Sequence, residues 1–153
     1  ANLAGELAVR HAARVRSVTM LGPVPMSAAE RREFRKLLGE PIRPRPDGGH
    51  LLENWGYAAQ YNPGCDLEVM HDEVVSMLRA WRGRPQAYRA VSFNDSLAVL
   101  RRIRAPVLLM TSPGDYFFPR FLEVCAVRPD AAVATVGGDN FQALLDPDGV
   151  ARA

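Results

Sequence analysis

The apolar residues of this chain follow two rhythms. Val15 to Met20, Val107 to Met110 and Ala131 to Val136 are short runs closed by Leu-Gly-Pro, by Ser-Pro-Gly and by Gly-Gly. Runs of that length between breakers read as strands, and the β-branched and bulky run Val107 to Met110 reads as a strand buried on both faces, as in parallel sheets. Elsewhere the spacing is helical. Leu3, Ala4, Leu7 and Ala8 share one stripe of Ala1 to Arg10, and Phe34, Leu37 and Leu38 follow a capping box at Ser27-Ala-Ala-Glu30. Leu51, Leu52, Trp55, Ala58 and Ala59 form a broad face over residues 50–61, and Leu67, Met70, Val74, Met77 and Trp81 alternate spacings of three and four over residues 66–82. Shorter helices are predicted over 85–93 and 95–103, and another over 119–127.

In chain order this gives helix, strand, five helices, strand, helix, strand, helix, with a Pro-, Arg- and Gly-rich linker over residues 40–49. The predicted class is α/β: a parallel sheet with flanking helices, formed by residues 1–26 and 104–153, interrupted by an all-helical insertion over 27–103. The last two strands and their helix make a βαβ unit, whose right-handed crossover brings both strand ends to one rim. Asp115, just past the second strand, and Asn140, just past the third, are therefore expected to be neighbours where parallel sheets place their chemistry. The helix at Ala1 has no cap or lead-in, so a strand is expected to precede it. Without that strand the edge of Val15 to Met20 would invite pairing between copies, and either poor solubility or a homo-oligomer is expected.

Composition narrows the function classes. The 153 residues are 48% hydrophobic and 24% charged, with 19 basic and 17 acidic residues scattered along the chain. Such a balance argues for a globular domain and gives no support to a nucleic-acid or membrane partner. No apolar run approaches a membrane span, and no basic leader precedes an apolar stretch. Two cysteines, Cys65 and Cys125, are too few and too scattered for a disulfide framework or a metal site, so a reducing, cytoplasmic setting is expected. No dinucleotide fingerprint, phosphate loop or metal-ligand spacing occurs, and no cofactor is expected.

Three segments together resemble the C-terminal part of the α/β-hydrolase fold with its helical cap. Ala1-Asn-Leu-Ala-Gly-Glu-Leu-Ala to Met20-Leu-Gly is similar to the helix after that family's nucleophile elbow and to the next strand. Ala105-Pro-Val-Leu-Leu-Met-Thr-Ser-Pro-Gly-Asp115 resembles the strand and loop that deliver the acid. Val136-Gly-Gly-Asp-Asn-Phe-Gln resembles the loop that usually carries the histidine as Gly-His-Phe. The resemblance implies that Asp115 is the acid, that Asn140 stands in the histidine position, and that the nucleophile lies outside these residues. A carboxamide cannot exchange a proton near neutral pH, so the usual triad is incomplete. The implied parent hydrolyses a small, mainly apolar ester, amide or related substrate through a covalent intermediate. The rival implication is a catalytically silent relative that binds a small molecule or a protein.

Other residues carry weaker signals. His50, opening a helix of the insertion, is either a solvated helix-start residue or a cleft residue that touches substrate or replaces the base. Trp55, Tyr116 and Phe141 are candidates for substrate contact, with Phe117, Phe118 and Trp81 adding apolar surface. His71 reads as a packing residue and His11 as a helix-end residue facing solvent.

Overall fold

A computed structural model describes residues 1–153. Its contacts divide the chain into two compact units, Ala1–Ala28 with Asn94–Ala153, and Ala29–Phe93.

The first unit is built on three parallel strands. β1 (Val18–Leu21), β2 (Val107–Thr111) and β3 (Ala132–Thr135) lie in that order, with Val18 opposite Val107 and Leu108 opposite Ala132. β2 is central because its side chains can be buried on both faces: Val107, Leu109, Met110 and Thr111 are all buried, Leu109 completely. Helices α1 (Asn2–Arg10), α6 (Ser96–Arg102) and α7 (Phe121–Val127) supply Ala8, Leu100, Phe121 and Val124 to the same core. Asp95 starts α6 by accepting from the Ala98 amide (3.0 Å), the helix end that the sequence places at Asp95.

β1 begins three residues later than the apolar run predicts. Ala12–Arg14 form a 3-10 turn whose carbonyl at Ala12 takes the Val15 amide (3.3 Å), and sheet pairing starts where Val18 donates to the Pro106 carbonyl (2.9 Å). Val15 is spent on the turn.

Arg128, just after α7, ties three segments of this unit. Its Nη1 donates to the carbonyls of Ile103 (2.6 Å) and Leu100 (3.3 Å), while Nε and Nη2 grip the Asp130 carboxylate, both at 2.9 Å. The carbonyls at the end of a helix have no partner within it, and here a guanidinium supplies one.

The second unit contains α2 (Ala28–Leu38) from its second residue on, α3 (Gly49–Tyr61), α4 (Leu67–Arg79) and α5 (Gly83–Phe93). Ala58 of α3 packs with Met70, Val74 and Met77 of α4, and Asp66 caps α4 through the Glu68 amide (2.8 Å). Two stripes differ from the expectation. Leu67, the first residue of α4, is 71% exposed, and on α3 the buried positions are Asn54 and Ala58 while Leu51, Leu52 and Trp55 are exposed. Asn54 can be buried because its side-chain amide donates back to the His50 carbonyl (2.8 Å), satisfying a polar group that would otherwise be costly inside. The helix over 95–103 groups with the sheet unit, not with the helical one. No helix is long and apolar enough to cross a membrane.

Candidate active site

At the C-terminal ends of β2 and β3 two loops are stitched into one rim. The backbone continues the sheet for one more bond, Val136 N to Thr111 O (2.9 Å), and then each loop turns on itself. After β2, the Asp115 amide donates to the Ser112 carbonyl (3.0 Å) and the Phe118 amide to the Asp115 carbonyl (2.9 Å). After β3, Gly138 and Asp139 both take left-handed backbone (φ 85° and 49°), and Asp139–Phe141 form a 3-10 turn. Glycine adopts that conformation without strain, whereas Asp139 is one of the few side chains that tolerate it.

Three hydrogen bonds cross from loop to loop. Ser112 Oγ, fully buried, accepts from the Asp139 amide (3.0 Å); Asn140 Oδ1 accepts from the Tyr116 amide (3.0 Å); and Gln142 Nε2 donates to Asp115 Oδ2 (2.9 Å). The other oxygen of Asp115 accepts from the Phe117 amide (2.8 Å). Glycine occupies two points of close approach. A Cβ on Gly22, just past β1, would lie 3.1 Å from Asp115 Oδ2, and one on Gly114 would run into the Asp139 carboxylate.

The structure thus brings Asp115, Tyr116 and Asn140 together, and it adds a residue to which the sequence reading gave no role. Gln142, 5% exposed, holds the Asp115 carboxylate, while the Asn140 carbonyl oxygen is turned to a backbone amide. The segment Gly-Gly-Asp-Asn-Phe-Gln marks a turn at its glycines but not how far the turn runs. A single 3-10 turn after a left-handed glycine carries the chain round, so the carboxamide that meets the acid is the first residue of the next helix, α8 (Gln142–Leu145). Phe141, next to Gln142, is half-buried, and Tyr116 is 63% exposed with its ring edge-on to Phe117 at 5.0 Å. His50 and Trp55 lie in the helical unit, where the His50 Nδ1 accepts from the Arg45 amide (3.1 Å).

Chemically, the rim presents a carboxylate between amide donors. It can hold a ligand or orient a donor, but neither Asn140 nor Gln142 can take up a proton near neutral pH.

The second loop is anchored from behind by Asp146. Its carboxylate accepts from the amides of Gly137 (2.8 Å) and Gly149 (2.9 Å), the latter opening α9 (Pro147–Arg152). These two backbone bonds, and more weakly Arg152, hold the Asp146 carboxyl below the usual carboxylate range. A depressed folded-state value means that the anchor stabilises the fold above the unfolded value, and is lost as pH falls below about 4 through the folded one. Amide resonances of Gly137 and Gly149 are therefore expected to stay fixed from pH 7 to 5 and to move together below pH 4. In Asp146→Asn the acid transition should vanish; its persistence would place the titrating group elsewhere.

This order of strands, with an acid after the central strand and a stitched loop after the edge strand, is part of an α/β-hydrolase fold. Solved structures of that fold align with nearly the whole chain. They include E-2-(acetamidomethylene)succinate hydrolase (TM-score 0.62, 16% identity, 97% of this chain) and BpoC from Mycobacterium tuberculosis H37Rv, assigned as a non-heme bromoperoxidase (0.66, 20%, 97%). An acetylester hydrolase from Corynebacterium glutamicum aligns over 93% of the chain (TM-score 0.55, 16% identity). The chain spans 59%, 59% and 52% of the lengths of these three proteins. No family model matches the sequence, and no curated protein matches it.

Proposed function

We propose that this chain forms the acid and histidine-loop rim of an α/β-hydrolase-like protein whose parent acts on a small, mainly apolar ester, amide or related substrate. Residues 29–93 serve as the helical cap, and Asn140 is a degenerate histidine position. The observation that carries the reading is Asp115, held at the end of the central strand by the Phe117 amide and facing a side-chain amide across the rim. Hydrolysis needs a nucleophile, and the 153 residues contain no G-x-S-x-G elbow. The reading therefore requires one in the encoded protein a few residues before Ala1.

A second reading is favoured by one observation. Both oxygens of Asp115 are already engaged by amide donors, Gln142 among them, so the rim is satisfied without an imidazole. On this reading the protein is a silent relative that binds a small molecule or a partner.

The two are separated by assaying p-nitrophenyl acetate hydrolysis by the protein as encoded, with the variants Asp115→Asn, Asn140→His and Gln142→His. The hydrolase reading expects turnover above background that rises with a histidine at position 140 or 142 and falls again when Asp115→Asn is added. A lost triad base costs several orders of magnitude, so even partial restoration is measurable. No nucleophile upstream of Ala1, and no response to any variant, would leave the silent reading standing.

A further inference from the structure

The helical unit holds a cavity of about 170 Å³ of its own, remote in sequence from the Asp115 rim. Its walls include Tyr57 from α3, Met77 from α4, Trp81 from the following turn, and Arg84 and Tyr88 from α5. The Arg84 guanidinium lies 4.3 Å from the centre of the Tyr57 ring and 5.1 Å from that of Tyr88, and its Nη2 is buried without a hydrogen-bond partner in the protein. Of the two carboxylates on the lining, Glu53 is already paired with Arg45 (2.8 Å) and Glu40 is exposed. Neither neutralises Arg84.

Two magnitudes decide what such a cavity selects. Contacts with aromatic faces return less to a cation than a buried charged donor left unmade costs. The cavity therefore favours an anion at Nη2. Burial pushes the Tyr57 phenol upward, with the Tyr88 phenol beside it adding to the effect and Arg84 opposing it, so the ring stays neutral at ordinary pH and does not repel one. An apolar cavity of about 150 Å³ takes a benzene-sized body.

We propose that this cavity binds a small carboxylate with an aromatic or compact apolar body, the carboxylate on Arg84 and the body against Tyr57, Tyr88 and Trp81. A guanidinium suits a carboxylate because its planar fork matches the two oxygens.

The probe is benzoate, with benzamide as its uncharged isostere and benzylamine as its cationic counterpart. Titrated into the full chain, benzoate is expected to shift the Trp81 indole N–H resonance, to leave that of Trp55 in place, and to raise Tm with concentration. Benzamide should bind at least tenfold more weakly and benzylamine not at all, and Arg84→Gln should weaken benzoate at least tenfold. Equal affinity for benzoate and benzamide, an unmoved Trp81 signal, or full affinity in Arg84→Gln would each overturn the proposal. Should Arg84→Gln fail to fold, the comparison of benzoate with benzamide on the unmodified chain carries the decision.

Discussion

Leu109→Ala is expected to remove about 2–5 kcal/mol of stability, a large share of the roughly 5–15 kcal/mol of a typical domain. Leu109 is fully buried at the centre of β2, where it packs in one core with Val18, Met20, Leu100 and Val124. Truncation there forfeits the transfer energy of three carbons and leaves a cavity between elements that the backbone bonds hold in place. The control is Val133→Ala on β3, a residue 53% exposed, for which a change within about 0.5 kcal/mol is expected. Urea unfolding followed by far-ultraviolet circular dichroism reads both. A Leu109→Ala midpoint within error of the Val133→Ala one would mean that β2 is not the centre of the core.

Arg128→Ala is expected to cost about 2–4 kcal/mol, whereas Asp130→Ala should cost clearly less. The contrast follows from exposure. The Arg128 side chain is 11% exposed and donates to the Ile103 and Leu100 carbonyls, whereas Asp130 is 67% exposed and offers only a surface ion pair. Removing the arginine takes the guanidinium donor from the Ile103 carbonyl and leaves the Leu100 carbonyl with the Ile103 amide (3.3 Å); removing the aspartate leaves the carbonyl bonds intact. Arg128→Lys should fall between, since an ammonium keeps the charge but lacks the fork that reaches both carbonyls and Asp130. If the two alanine variants lose stability equally, the ion pair and not the carbonyl contacts holds this corner.

Much of the fold was legible in the sequence because its signals are local. The run Val107 to Met110 between Pro106 and Ser-Pro-Gly could only be a short buried strand, and the spacing of Met70, Val74 and Met77 could only bury one helical face. The rim was legible as far as topology carries. Parallel strands joined by a right-handed crossover bring Asp115 and Asn140 to one edge whatever the side chains do. What the sequence did not disclose depends on how the backbone is spent. Val15 joins a turn instead of a strand because one carbonyl at Ala12 takes its amide. Likewise Gln142, two residues past Asn140, meets Asp115 because a 3-10 turn rotates the loop, and no periodicity encodes that rotation. Burial on α3 was misread for a related reason. Hydrophobicity picked Leu51 and Leu52, while a back-bonded Asn54 takes the inner position.

Ser96 Oγ donates to the Val24 carbonyl, so within the sheet unit the chain after β1 and the first residue of α6 are clasped a few residues either side of residues 29–93. Such a clasp makes the helical unit topologically a single loop on a closed stem. The entropy of closing that loop is then set at the stem and grows only slowly with what is inserted beyond it. Helices can be added, lost or exchanged there at little expense to the strands that carry Asp115.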